Sequence, residues 1–146
     1  MMVSTKGRYA LRIMVSLAQR KDAGRVSLAE ISRQQGISLK YMETIISVLV
    51  KAGHVSGSRG KGGGYVLTKS PEEYTVGSIL ELTEGSLAPV ACLGCENGHD
   101  CQRADRCPTL PMWAQLDHII HDYLESVTLA DLTRQANDLP MSDPVI

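Results

Sequence analysis

Phenylalanine is absent from this 146-residue chain and tryptophan occurs once, at Trp113; with five tyrosines the aromatic share is 4%. The core must therefore be assembled from Leu, Ile, Val, Met and Ala. No apolar run approaches the roughly 18 residues that a membrane helix requires. Arg12 interrupts the apolar stretch near the amino terminus, and no small-residue cleavage site follows it. No membrane association and a cytoplasmic location are expected. Catalytic signatures are missing too: there is no Ser/His/Asp arrangement, no paired carboxylates, and the glycine-rich segment lacks the Gly-Lys-Ser/Thr ending of a P-loop. An enzyme is not expected. Cysteine is scarce, with four residues all lying between 92 and 107.

What is present is a hydrophobic share of 43%, ordinary for a folded chain, at a length that suits one compact domain with an appendage. The net charge of -1 conceals an uneven split. Residues 1–70 carry twelve Lys/Arg against three acids, a balance of +9, and residues 71–146 carry three against thirteen, a balance of -10. A half so basic is an electrostatic footprint for a polyanion, without choosing between DNA, RNA and an acidic partner.

Apolar residues Ala10, Ile13, Met14, Leu17 and Ala18 recur at helical steps, and Asp22-Ala23-Gly24 closes that helix. Ser27-Leu28-Ala29-Glu30 reads as a capping box for a short helix that stops at Gly36. Ser38 caps a third helix, with Leu39, Met42, Ile45, Ile46 and Leu49 facing inward and Gly53 at its end. Helix, glycine turn and second helix make a helix-turn-helix pattern. His54-Val55-Ser56 and Tyr65-Val66-Leu67 read as strands flanking a basic loop, 57–64, with five glycines in eight residues. A hairpin directly after the third helix makes a winged helix. In a duplex reader the third helix would present Ser38, Lys40, Tyr41, Glu43 and Thr44 to base edges, and Arg59 and Lys61 of the wing would reach a minor groove or phosphates. Arg8, Arg12 and Lys51 are candidate backbone contacts. Glu43, the lone acid between 33 and 69, costs repulsion near DNA unless it accepts from a base such as the cytosine amino group.

Beyond Pro71, Thr75 caps a helix carrying Val76, Ile79, Leu80 and Leu82. Residues 109–126 form a long amphipathic helix with Leu110, Trp113, Leu116, Ile120, Tyr123, Leu124 and Val127 on one stripe, suited to a twin helix in a second subunit or to folding back on its own chain. Thr128-Leu129-Ala130-Asp131 resembles a capping box. The expected organisation is a winged helix-turn-helix domain at 1–83, a cysteine-rich sensor loop at 84–108, a dimerisation helix and short helix at 109–136, and a mobile tail at 137–146. The fold class is mainly α with a small β-hairpin wing and a long carboxy-terminal dimerisation helix.

Cys92, Cys95, Cys101 and Cys107 form C-x2-C-x5-C-x5-C. Thiols this close suit a metal site, either an iron–sulfur cluster or structural zinc, although zinc ribbons usually carry two separated C-x2-C pairs. A regulatory thiol loop without metal is the alternative, and His99 is a further donor in the loop. His118 and His121 read as surface residues.

Thr5-Lys6-Gly7-Arg8-Tyr9-Ala10, Gly36-Ile37-Ser38-Leu39-Lys40-Tyr41-Met42-Glu43 and Arg59-Gly60-Lys61-Gly62-Gly63-Gly64-Tyr65 resemble the Rrf2 family of bacterial winged-helix repressors, from Met1 to about Leu132. The resemblance implies a homodimer that binds double-stranded, pseudo-palindromic operator DNA, crossed by the long helices. It also implies a [2Fe–2S] or [4Fe–4S] cluster in members with three loop cysteines, which align with Cys92, Cys101 and Cys107. Two positions depart from the family. Leu110 stands where cluster-regulated members have a His, and Arg8 stands where nitric-oxide sensors have an acid supplied by the partner subunit. Cys95 is then the first candidate for the fourth ligand and His99 the second. Some members hold no cluster, so a zinc-containing or cluster-free, thiol-responsive regulator of cysteine or sulfur metabolism is the other expectation.

Overall fold

The first helix, α1 (Thr5–Gln19), starts where the Ser4 hydroxyl accepts a hydrogen bond from the Gly7 amide at 3.3 Å, and it buries Ala10, Ile13, Met14 and Leu17 along one face. The computed structural model describes residues 3–93 and 101–140. Helix α2 (Leu28–Gln35) is capped by Ser27, as its sequence predicts, but the box does not close: the Glu30 carboxylate lies 2.6 Å from the Arg20 guanidinium instead. A fixed cation gives that carboxylate a charge-assisted partner, which is stronger than a backbone amide. Gly36 ends α2 in the left-handed region, φ 65° and ψ 30°, a conformation without Cβ cost only for glycine.

Helix α3 (Leu39–Lys51) begins at Ser38, whose hydroxyl accepts from the Tyr41 amide, and buries Met42, Ile45, Ile46 and Leu49. Leu39, expected inward, is 42% exposed. It shares the stripe of Ile46, but at the first helical position no neighbouring element covers that end of the stripe. Strands β1 (Val55–Ser58) and β2 (Gly64–Leu67) pair antiparallel from Val55↔Leu67 to Ser58↔Gly64. Pairing therefore extends into the expected glycine loop and leaves 59–63 as the turn. Val26 adds a third rung that the sequence does not announce, exchanging backbone bonds of 3.0 and 2.8 Å with Tyr65. Gly64 makes that rung possible, because a Cβ there would stand 2.6 Å from the Val26 carbonyl oxygen.

Helix α4 (Val76–Glu84) is capped by Thr75, and α5 (Leu110–Ser126) is followed by α6 (Leu129–Asp138), which opens with the full Thr128–Asp131 capping box. Leu129, from the segment expected to serve dimerisation, is fully buried in the same core as α1, α2 and α3. Val76, Leu80 and Leu87 form a smaller cluster, on which Leu124, Val127 and Leu132 pack. The stripe expected on α5 thus divides: its carboxy-terminal end folds back on its own chain. Of the expected stripe Leu116 and Tyr123 remain open, and they join Met112 and Ile119, which the expected stripe did not include, in an exposed row at the 4-3-4 spacing of a helix–helix seam, with Ile119 and Tyr123 54% and 66% exposed. Helix α6 runs to Asp138, past the boundary expected at 136, and residues 141–146 of the expected mobile tail lie outside the described residues.

His54, between α3 and β1, has a buried Nδ1 without a hydrogen-bond partner. Burial holds its imidazole below the ordinary value of 6.5, with Lys69 pushing the same way against a favourable Ala52 backbone group. No helix among the described residues is long and apolar enough to cross a membrane.

Replacing Leu129 by Ala is expected to cost about 2–5 kcal/mol of unfolding free energy, the range for emptying a closed leucine site. The shift of the urea midpoint of the full chain measures it, and an unchanged midpoint would show that α6 does not close the amino-terminal core.

Candidate nucleic-acid interface and cysteine segment

The helical period leaves one side of α3 to solvent: Ser38, Lys40, Glu43, Thr44 and Ser47 are exposed while Met42, Ile45, Ile46 and Leu49 face the core. Ser38 spends a lone pair on its cap and keeps its hydroxyl proton as a donor. The Thr44 hydroxyl donates to the Lys40 carbonyl at 3.3 Å and Ser47 to the Thr44 carbonyl at 2.8 Å, so both retain acceptor capacity. Tyr41 is half-buried and meets the Tyr9 ring edge-on at 5.8 Å, which commits its ring to the α1–α3 contact.

Across from α3 stands the wing. A cleft of about 370 Å³ runs between them, with Glu43, Ser47 and Lys51 on the helix side and Ser58 and Arg59 on the hairpin side. Ile46, Val50 and Tyr65 also line it. Arg59 and Lys61 are exposed in a turn where Gly60 and Gly62 hold φ of 89° and 78°, which lets the backbone reverse within five residues between the strands. The cleft therefore brings together Glu43, Lys51 and Arg59 from the sequence-predicted set, and Lys40, Thr44 and Lys61 are exposed outside its lining.

Two arginines have structural duties. Arg12, expected as a backbone contact, donates from Nε to the Gln35 side chain at 2.8 Å and from a terminal nitrogen to the Gln35 carbonyl at 2.7 Å, while its guanidinium lies 5.3 Å from the centre of the Tyr9 ring. It clamps α1 to the end of α2, because the free carbonyls of a helix terminus are the acceptors nearest to it. Arg8 is exposed and touches only the Thr5 hydroxyl, at 3.2 Å, among the contacts described. Arg25, which the sequence gave no reason to single out, donates to the carbonyls of Ser56 at 3.3 Å and Gly64 at 3.4 Å and so braces the hairpin. The only local signal for it is its place beside Val26, just before the Ser27 cap.

Among the cysteines, Cys92 is half-buried in a single helical turn at Ala91–Leu93, Cys101 is exposed, and Cys107 is half-buried after a turn at Ala104–Arg106. All three are free thiols. Cys95 and His99 lie outside the described residues. The Thr109 hydroxyl, 3.3 Å from the Cys107 sulfur, pulls that thiol below its ordinary value, with help from the backbone of Thr109 and Leu110 at the start of α5. A sulfur biased toward thiolate is the species that binds metals. Among the described residues no three His, Cys, Asp or Glu side chains converge on one point. The donors fit thiophilic metal chemistry by type, and a gathered site is not part of the described geometry. The amino-terminal limb of the segment, through Leu93, borders α5: a cleft of about 190 Å³ is lined by Glu81, Leu87, Leu93, Asp117, Ile120 and His121 among others. His118 and His121 are exposed, as expected, and lie 3.4 Å from Asp122 and 3.9 Å from Glu81.

Comparison with known proteins identifies relatives of the whole chain. Residues 3–135 match the family model Rrf2, described as an iron-dependent transcriptional regulator. The HTH-type transcriptional regulator IscR of Pectobacterium carotovorum is 41% identical over 143 residues, spanning 98% of this chain and 85% of that protein. The structure of T. potens IscR superposes with a TM-score of 0.77 at 36% identity, covering 98% of this chain and 93% of the other. That of CymR, the global cysteine regulator of B. subtilis, superposes with a TM-score of 0.76 at 36% identity, covering 92% and 98%.

Replacing Arg12 by Ala is expected to lower the thermal midpoint by about 3 °C, since it removes bonds that join two helices. A scanning melt of the full chain measures it. A variant as stable as its parent would return Arg12 to the freely solvated basic surface.

Proposed function

Because the chain belongs to the Rrf2 family of transcriptional regulators, and is a DNA-binding regulator rather than an enzyme, we propose that α3 and the wing grip an operator duplex under the control of the cysteine segment. The observation that carries the reading is the single cleft between α3 and the wing, with Glu43 and Lys51 on one side and Arg59 on the other, within the half of the chain whose balance is +9. Ser38, Lys40, Glu43 and Thr44 are the base-facing set, and Tyr41 stands beside them with its ring held against Tyr9. Arg59 and Lys61 enter the minor groove or bind phosphates, and Arg8 holds the backbone. The exposed seam of Met112, Leu116, Ile119 and Tyr123 supports a homodimer through α5, which sets two winged helices on the half-sites of a pseudo-palindrome. The chain works in the cytoplasm as a repressor. Functionally, residues 1–83 read DNA, 84–108 sense and α5 dimerises, while α6 closes the amino-terminal core through Leu129.

Cys92, Cys101 and Cys107 would hold a [2Fe–2S] or [4Fe–4S] cluster, with Cys95 as the fourth donor and His99 behind it. When bound, such a cluster supplies a centre sensitive to oxygen, nitric oxide and iron supply. The chain's own residues carry the consequence. The segment leaves the end of α4 and enters α5 at Thr109, and α4 and α5 are joined again where Thr75 donates to the Glu125 carboxylate at 3.1 Å and the Val76 amide to the Val127 carbonyl at 2.8 Å. A change of order between 92 and 107 therefore acts on the angle between α4 and α5, and through it on the spacing of the two DNA-reading surfaces. The likeness to a cysteine regulator supports a second reading, a zinc-containing or cluster-free regulator responsive to thiols.

Anaerobic purification decides between the two. Iron and acid-labile sulfide with visible absorption, lost in Cys107→Ser, are expected for the cluster; zinc or no metal, with no visible absorption, would establish the second reading. For DNA, Arg59→Ala is expected to lower affinity for a duplex enriched from a random library by about tenfold and to flatten its salt dependence by about one phosphate contact. Glu43→Ala is expected to relax sequence preference more than total affinity. A uniform loss across sequences would make Glu43 a structural residue, and unchanged binding by Arg59→Ala would remove the wing from the interface.

A further inference from the structure

Tyr74 is the largest fully buried side chain, 1% exposed, and it stands between two parts of the fold that the sequence keeps far apart. Its hydroxyl uses all the hydrogen-bonding capacity a phenol has. It donates to the His54 carbonyl at 2.8 Å and accepts from the amides of Thr68 at 3.2 Å and Lys69 at 3.0 Å. His54 is the residue before β1, and Thr68 and Lys69 are the two residues after β2. The Thr68 amide also reaches the His54 carbonyl, at 3.3 Å, so the phenol oxygen reinforces a backbone bond across the open end of the hairpin and adds the Lys69 amide to it. The Thr68 hydroxyl strengthens the closure by donating to the Gly53 carbonyl at 2.6 Å, at the end of α3. The backbone of Tyr74 faces the other way: its carbonyl accepts from the Leu129 amide at 2.9 Å, and Thr75 bridges Thr128. Those partners are the junction between α5 and α6.

We propose that Tyr74 is a positioning residue, which sets the wing, and with it Arg59 and Lys61, at a fixed angle to the α5–α6 junction. This rests on the reading that the wing contacts DNA. Without the hydroxyl, the His54 carbonyl loses a donor and the Lys69 amide its acceptor, while the ring still fills its site against the His54 imidazole 5.3 Å away. The hairpin then pivots at its base, and a cation at its tip spends part of its binding energy on being held in place. Tyr74 touches no DNA and acts wholly through the wing.

The test is a double-mutant cycle on the full chain, purified anaerobically, with a duplex enriched from a random-sequence library by the parent protein. Tyr74→Phe is expected to keep the parent's helical circular dichroism and oligomeric state and to lose about tenfold in affinity. Arg59→Ala is expected to cost about tenfold in the parent but less than about twofold in the Tyr74→Phe background, because the loosened wing has already forfeited that contact. Full additivity of the two losses, or parental affinity in Tyr74→Phe, overturns the proposal and leaves the wing assignment standing. Arg59→Ala without effect in the parent fells the wing assignment and this proposal together. If Tyr74→Phe does not fold, amide hydrogen exchange on the parent decides: Thr68, Lys69 and Leu129 are expected to open as one unit, far more slowly than Gly60 and Gly62 at the wing tip. Exchange of Thr68 and Lys69 at the rate of the wing tip overturns the idea.

Discussion

Leu129 has to fill a core whose walls include residues more than a hundred positions earlier, among them Ala10, Ile13 and Met14. That requirement determines the path of everything between. Once α6 is docked on α1, the end of α5 is drawn against α4, where Leu124 and Val127 join Val76 and Leu80. One side of α5 is then committed to its own chain and the seam of Met112, Leu116, Ile119 and Tyr123 is left without cover. A helix with no fully buried residue gains little from its own chain. Its length makes sense only with apolar surface supplied from elsewhere, which is why the homodimer belongs to the proposed function and not to an optional elaboration of it.

The elements that could be read from sequence are those whose cause is local. Ser27, Ser38, Thr75 and Thr128 each cap a helix start, and Gly36 ends one in the left-handed region, so helix limits follow from the chemistry of a few adjacent residues. Periodicity identified the buried side of α3 except at Leu39, where the pattern continues but the packing partners do not. Features with distant causes were not legible. Glu30 chose Arg20 over its own cap, Val26 joined the hairpin through Tyr65, and Tyr74 closed the wing from outside it. Each depends on which groups the fold brings near, and no spacing rule contains that information.

For the candidate site the same division holds. Exposure of Lys40, Glu43, Thr44, Arg59 and Lys61 was legible, because alternation with apolar neighbours and glycine-rich backbone both leave side chains in water. The role of Arg12 was not, since a cation on a helix surface looks alike in sequence whether it faces solvent or a helix terminus. Cys107 was legible as a thiol donor, whereas its bias toward thiolate comes from Thr109 two residues on and from the start of α5.

Charge gives a reason for the proposed duplex-reading residues to surround a carboxylate. A half-chain of +9 attracts any duplex, and that attraction falls with salt and carries no sequence information. Placing Glu43 on the wall of the same cleft as Arg59 subtracts from this general affinity. The subtraction is recovered only where a base presents an amino donor to the carboxylate, a contact worth about 1–3 kcal/mol in discrimination. On the proposed reading, opposed charges across one cleft divide the labour: the wing would supply grip, and the helix would withhold it from the wrong sequence. For that division to work, the distance between α3 and the wing has to be fixed before DNA arrives. A wing free to swing would spend part of the Arg59 contact on being held in place and let Glu43 stand clear of the bases, and binding would become weaker and less selective. On the proposed reading, the bonds that brace the hairpin, from Arg25 along its strands and from Tyr74 at its base, serve selectivity as well as stability.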